Sequence, residues 1–135
     1  MDEAYRDAMR EHIATLEEEL QELTALLADG TAVSRLHRRA AERTLQLLIE
    51  SCIGICKQAL KGRGVVVPSD SREALAKAAT LGAAPVALDW RRIIGMRNAL
   101  VHDYLNIDVA VLFDIYRSGR WRELVTFANS LLDAA

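Results

Sequence analysis

Residues 34–61, SRLHRRAAERTLQLLIESCIGICKQALK, decide the fold of this chain. The pattern predicts one long helix whose apolar positions cover well over half of its circumference. Its polar residues fall on a single strip, formed by Arg39, Arg43, Gln46, Glu50, Lys57 and Lys61. A helix this apolar must be covered on several sides, by neighbouring helices or by a second subunit. The stretch therefore predicts the central helix of an all-α bundle.

The flanking sequence predicts further helices around this centre. A narrow apolar seam with spacings of three and four residues predicts a first helix from about Asp2 to Leu27. After residues 34–61, Gly62-Arg63-Gly64 stops the helix, and Val65–Pro68 is expected to be an extended connector. Four later segments complete a bundle of about five to six helices, which we expect to be dimeric. These are a third helix capped by Ser69 or Ser71, a fourth from Pro85 to about Tyr104, a fifth capped by Asn106 or Asp108, and a sixth over Trp121–Leu132.

Length and composition bound the kind of protein. The 135 residues are expected to form one domain, residues 1–135, and 51% of them are hydrophobic with few aromatics, which favours helix-on-helix packing. There is no continuous apolar run long enough to span a membrane, and the acidic start MDEAYRDAMREH does not resemble a signal peptide. A cytoplasmic protein without a membrane partner is therefore expected.

Charge is distributed unevenly along the chain. Residues 1–30 carry nine acidic residues and two arginines, a net charge of −7, whereas the remainder carries fifteen basic and ten acidic residues, a net charge of +5. Most of these bases are arginines, which bind phosphate well through their planar fork. The distribution permits local phosphate binding, although an ordinary solvated surface explains it equally well.

The two cysteines offer no metal site. Cys52 and Cys56 lie four residues apart in the apolar helix, and no histidine is close to them in sequence. We expect both to be small buried hydrophobic residues, and we expect neither a metal nor a cofactor.

The fourth predicted helix places an arginine where a charge is costly. At about 100° per residue, Arg97 lies near the middle of an apolar face, and Tyr104 lies almost directly beneath it. Such a guanidinium must meet a carboxylate, a partner chain or a ligand phosphate. His102 lies about 140° away around a regular helix, so the Arg97 and His102 of one chain should not converge on one phosphate. They would converge if the helix end were distorted, or if two chains met along this helix to form a shared cleft.

Residues 97–104, RNALVHDY, resemble the R-x4-H-x-Y signature of HepT-like proteins in the HEPN superfamily. The match includes the RN opening, the valine before the histidine, and an Ile-Asp pair (Ile107, Asp108) that opens the next helix. Residues 41–46, AERTLQ, resemble a second recurrent stretch of this family. Chain length and helix order agree from end to end, so the resemblance covers essentially the whole chain.

The resemblance implies a metal-independent endoribonuclease, the toxin of a type VII toxin–antitoxin pair, acting as a homodimer on RNA. It implies that Arg97 and His102 are catalytic and that a MntA-like nucleotidyltransferase antitoxin silences the toxin by transferring AMP to Tyr104. Asn98, Asp103 and Arg43 are candidate supporting or RNA-binding residues. Asp103 occupies the variable position of the signature, where it would alter how phosphate approaches.

The residue types suit this chemistry. Histidine can act as base or acid near neutral pH, and arginine can grip the non-bridging oxygens of a phosphate. The alternative hypothesis is a non-catalytic module that recruits or positions a nucleotidyltransferase, with Arg97 and Tyr104 at the interface. A plain helical dimerisation domain is a third possibility, but it gives histidine no role at position 102.

Overall fold

The computed structural model describes residues 1–28, 33–81 and 88–134, and this part of the chain is helical and contains no strand. Its elements are α1 (Glu3–Ala28), α2 (Arg35–Gly62), α3 (Ser71–Ala79), α4 (Trp90–His102), a 3-10 helix (Tyr104–Asn106), α5 (Val109–Arg117) and α6 (Trp121–Ala134). The prediction of an all-α bundle of about five to six helices is confirmed. Within the described ranges, no helix is both long enough and apolar enough to cross a membrane.

Helix α2 is the centre of the bundle, as its composition predicts. It packs against α1, α3, α4 and α6, so neighbouring helices of the same chain cover most of its apolar surface. Leu45, Leu48 and Ile55 are almost completely buried at the middle of these contacts. The cover that this helix needs therefore comes largely from within one chain.

Polar atoms at the edges of the core fix how the helices meet. The Tyr116 hydroxyl of α5 donates to the Ala41 carbonyl oxygen of α2 over 2.6 Å. The Trp121 indole Nε1 of α6 donates to the Thr24 hydroxyl of α1 over 2.9 Å. Each bond satisfies a polar atom that would otherwise be costly to bury, so these contacts favour one arrangement of the bundle over others.

Both cysteines are buried, which confirms their assignment as small core residues. Cys52 donates its thiol to the Leu124 carbonyl oxygen over 3.5 Å, and Cys56 lies one helical turn further on. Burial raises the pKa of the Cys52 thiol to about 12 and also raises the pKa of Cys56. The thiolate form is therefore strongly disfavoured in the folded protein.

Some predicted helix ends are wrong. Asp70, rather than Ser69 or Ser71, caps α3, because its carboxylate accepts from the Arg72 backbone N–H. Helix α4 begins at Trp90, after an Asp89 cap, rather than directly after Pro85. The predicted break at Gly82–Pro85 lies outside the described residues. Short carboxylate caps decide these starts more strongly than apolar periodicity does.

Candidate active site

Arg97 lies on the inward side of α4, between the buried residues Trp90 and Leu100 in sequence. Its side chain is half-buried, and its Nε atom is buried without a hydrogen-bond partner among the described residues. A guanidinium nitrogen taken out of water without an acceptor is destabilising, and the described residues contain one other, the Arg6 Nε of α1. The structure therefore leaves Arg97 with unused binding capacity at the point where the sequence predicts a phosphate contact.

His102 is the last residue of α4 and is exposed. Asn98, one turn earlier, is also exposed on this outer side of the helix. Since His102 follows Arg97 by five residues in a regular helix, the two side chains leave α4 in directions about 140° apart. No hydrogen bond joins them among the described residues, so a single chain presents the two groups separately rather than around one phosphate.

The chain leaves α4 one residue after His102. Asp103 adopts φ −146° and ψ 42°, outside helical geometry, and Tyr104 begins the 3-10 helix that follows. Helix α4 therefore ends two residues before the predicted end at about Tyr104, and regular α-helical geometry does not extend from Arg97 to Tyr104. Hydrogen bonds between Asp103 and Asn106 compete successfully with continuation of the helix.

Asp103 and Asn106 bond to each other at both backbone and side chain. The Asn106 backbone N–H donates to the Asp103 carbonyl oxygen over 2.9 Å, and the Asn106 Nδ2 donates to the Asp103 Oδ1 over 2.7 Å. The Asp103 backbone N–H donates to the Ala99 carbonyl oxygen and closes the last turn of α4. Asp103, a candidate RNA-binding residue, thus already has a partner within its own turn.

Arg43 lies in the middle of α2 and is exposed on the solvent strip that the sequence predicts. Within the described ranges it makes no ion pair with Glu42, which pairs instead with Arg38 over 3.2 Å. Arg43 makes no hydrogen bond to Arg97 or His102 in this part of the chain. The structure therefore leaves Arg43 available to a ligand, but it does not bring Arg43 to the signature residues.

A groove separates α4 from α5. These helices are neighbours in sequence but barely contact each other, because α5 packs mainly against α1. The groove between them, called the α4–α5 groove below, encloses about 820 Å³. Its apolar lining includes Leu45, Ile49, Met96, Ala99, Val111 and Ile115. Leu45 and Ile49 come from the core helix α2, so the groove opens directly onto the centre of the bundle.

Charges of both signs border the α4–α5 groove. Asp108 and Asp114 lie on the α5 side, and Arg92 on α4 and Arg120 before α6 supply positive charge. Val111 within the groove is 46% exposed, although it is a large apolar residue. An apolar groove with a mixed charged border resembles the surfaces that proteins bury on association.

Two residues near the signature were missed by the sequence analysis. Gly95 lies in the interior of α4 beside the groove, and a Cβ atom added there would contact nothing within 4 Å. Glycine destabilises a helix by about 1 kcal/mol relative to alanine, so a glycine in the interior of a predicted helix was the sequence signal for an unusual position. Asn106 was considered only as a cap for α5, a role that Asp108 fills; its spacing of three residues from Asp103 was the signal for a side-chain contact.

Comparison with known proteins agrees with the signature. The model of the family described as ribonuclease HepT-like matches residues 9–131. Among curated proteins, the mRNA nuclease HepT of Shewanella oneidensis is 26% identical over 111 residues, which span 78% of this chain and 84% of that protein. No solved structure matches the chain. The matched range includes every helix that positions Arg97, His102 and Tyr104, and the chain therefore belongs to the HepT-like ribonuclease family.

Proposed function

We propose that this protein is a cytoplasmic RNA-cleaving toxin, a metal-independent endoribonuclease whose catalytic residues are Arg97 and His102. The observation that carries the proposal is the state of Arg97. This chain belongs to a family of ribonucleases, and its signature arginine is half-buried, with a buried Nε that has no partner among the described residues. The same helix ends in the exposed His102. Both groups have the chemistry that phosphate cleavage requires.

Cleavage without a metal proceeds by attack of a ribose 2′-hydroxyl on the adjacent phosphorus. A base takes the 2′-hydroxyl proton, the bond from phosphorus to the 5′-oxygen breaks, and an acid protonates that leaving oxygen. The products are a 2′,3′-cyclic phosphate and a 5′-hydroxyl. His102 supplies the proton transfers, and Arg97 stabilises the negative charge that develops on the non-bridging oxygens. Asn98 and Arg43, both exposed, are candidate contacts to the RNA chain.

Two chains complete the site in this proposal. Arg97 and His102 diverge within one chain, so a second copy packed along α4 supplies the missing half of a shared cleft. The α4–α5 groove favours this arrangement, because it is apolar and has charges of both signs at its border. A two-fold axis can pair Asp114 of one copy with Arg120 of the other, whereas Arg92 already contacts Asp89 of its own chain over 3.5 Å.

Silencing by a nucleotidyltransferase antitoxin is the second half of the proposal. Transfer of AMP from ATP to the Tyr104 hydroxyl forms a phosphodiester and releases pyrophosphate. The added phosphate and adenosine place negative charge and bulk within two residues of His102, where RNA would have to bind. The backbone position of Tyr104, in the 3-10 helix immediately after α4, supports this competition.

The decisive experiment is cleavage of a labelled RNA by purified protein in excess EDTA. Wild-type protein is compared with Arg97→Ala, His102→Ala and the control Arg91→Ala, which removes an exposed arginine of the same helix. We expect loss of about 100-fold or more in both signature variants and little change in the control. Equal activity in Arg97→Ala and wild type would contradict the assignment, provided that circular dichroism shows the same helix content.

The alternative is a non-catalytic module that positions a nucleotidyltransferase, and it is favoured by the separation of Arg97 from His102 in one chain. Mass spectrometry of Tyr104 distinguishes the two. Protein that carries no AMP and still leaves RNA intact supports the binding module. Protein that carries AMP and becomes active on its removal supports the silenced nuclease.

A further inference from the structure

The segment that joins α4 to α5 is fixed at three points. Its first point is the pair Asp103–Asn106, with two hydrogen bonds. Its second is Ile107, which is buried in the core. Its third is Asp108, whose carboxylate accepts from the backbone N–H groups of Ala110 and Val111 and caps α5. Tyr104 and Leu105 lie between Asp103 and Asn106, inside the turn that this pair closes.

The bond between the Asp103 and Asn106 side chains has only one polarity. An ionised carboxylate can only accept, so the Asn106 amide must donate to it. At 2.7 Å the contact is short, as is typical of a hydrogen bond to a charged acceptor. Both side chains are exposed, and nothing in the core depends on them. Their pairing therefore shapes the turn rather than the bundle.

The exposure of Leu105, inside this turn, shows how the turn is oriented. Leu105 is 81% exposed, although it is large and apolar, so the turn projects away from the core instead of collapsing onto it. Helix α4 itself does not need the Asp103 side chain, because the Asp103 backbone N–H closes its last turn on Ala99. The Asp103–Asn106 side-chain bond therefore orients the segment after His102, whereas the backbone bond from Asp103 to Ala99 stabilises the helical turn that holds His102.

We propose that Asp103 is a positioning residue which, through Asn106, holds the Tyr104 turn in the orientation required for AMP transfer. This rests on the function proposed above. A transferase must align the tyrosine hydroxyl with the α-phosphate of ATP, and a misplacement of about 1 Å can cost such a reaction 100-fold. His102 and Arg97 remain in place on α4 whether the turn is ordered or not.

The test compares Asp103→Ala, Asn106→Ala, the double variant and Asp103→Asn. The last keeps an oxygen acceptor for Asn106 and removes the charge, so it is the matched control. Asn106 also borders the α4–α5 groove, so sedimentation checks that each variant keeps the oligomeric state of the wild type. Three quantities are then measured at one protein concentration. They are amide hydrogen exchange over residues 104–107, kcat and KM for RNA cleavage in EDTA, and AMP transfer to Tyr104 by the purified cognate nucleotidyltransferase with ATP.

We expect each alanine variant to exchange amide hydrogens about tenfold faster in this segment, as loss of one hydrogen bond to a charged acceptor implies. AMP transfer should fall at least about tenfold in each alanine variant, while kcat for RNA changes less than about twofold in Asn106→Ala, which removes a residue with no proposed RNA contact. The double variant should match the single variants, and Asp103→Asn should behave as wild type. A purely structural role would instead lower both activities together.

Three results would overturn the proposal. One is an Asp103→Asn variant as impaired as Asp103→Ala, which would assign the effect to charge. Another is equal loss of RNA cleavage and AMP transfer. The third is unchanged hydrogen exchange in Asn106→Ala. Failure of the proposed function is seen separately, as wild-type protein that neither cleaves RNA nor accepts AMP, and in that case the regulatory role falls with it.

Discussion

At the scale of single residues, partial burial distinguishes Arg97 from Arg91 and Arg92, the exposed arginines of the same helix. Its helix positions it against the core, yet its buried Nε has no acceptor among the described residues. A side chain selected for stability alone would be apolar here, since an unpaired buried polar atom is costly. The proposed function accounts for the arginine through the RNA phosphate that Arg97 would bind.

This reasoning predicts opposite effects of Arg97→Met on stability and activity. Methionine has a similar shape and no polar atoms to desolvate, so the free energy of unfolding should rise by about 1 kcal/mol while RNA cleavage is lost. Urea denaturation and the EDTA cleavage assay measure the two effects. Arg91→Met, at an exposed position, should change neither by much. A fall of 1 kcal/mol or more in Arg97→Met would show instead that Arg97 has a stabilising partner.

The buried thiols give a prediction about pH. Burial raises the pKa of Cys52 to about 12 and raises that of Cys56, whereas an unfolded thiol ionises near 8.5. Their contribution to stability is complete below the unfolded pKa and is lost as pH rises toward the folded pKa, because only the unfolded chain releases the protons. The free energy of unfolding should fall between about pH 9 and 12, and the double variant Cys52→Ala/Cys56→Ala should flatten this slope.

At the scale of helices, the end of α4 decides how the signature is arranged. Apolar periodicity continues from Trp90 to Tyr104, so the sequence predicts one helix through the whole motif. The structure ends α4 at His102, because Asp103 and Asn106 bond to each other and Asp108 starts α5. Short side chains that bond to nearby backbone and to each other set helix ends that a hydrophobic pattern does not reveal.

The start of α5 provides a test at this scale. Asp108→Ala removes a carboxylate that accepts from two backbone N–H groups, so the free energy of unfolding should fall by about 1 kcal/mol. Asp7→Ala, which removes an exposed carboxylate of α1 away from the α4–α5 groove, should change it by less than about 0.5 kcal/mol. Urea denaturation at a single protein concentration compares them. Equal losses in the two variants would mean that charge, rather than capping, is what Asp108 contributes.

At the scale of the whole molecule, the α4–α5 groove is an apolar surface that the described helices of one chain leave uncovered. Gly95 borders it at a helix-interior position where an added Cβ would meet nothing within the chain. Alanine at such a position should stabilise an isolated chain, and the glycine is compatible with close approach of another surface. In the proposed dimer, that surface is the second copy.

Enlarging Gly95 should therefore separate the two copies. We expect wild-type protein to sediment as a dimer at micromolar concentration and Gly95→Leu to sediment as a monomer that no longer cleaves RNA, with helix content preserved. Arg91→Leu adds the same side chain to an exposed site on α4 outside the groove and should remain dimeric and active. A Gly95→Leu dimer with full activity would place the shared cleft elsewhere.

The sequence by itself determined the all-α class, the central place of residues 34–61, the buried cysteines and the identity of the signature. Each of these follows from local pattern, because apolar periodicity and residue type do not depend on distant contacts. Only the tertiary structure decided that α4 stops at His102, that Asp103 is engaged by Asn106, and that α5 packs on α1 and leaves a groove beside Gly95. These depend on which of several possible polar partners and neighbouring helices lies nearest, a choice that is made only when the whole bundle packs.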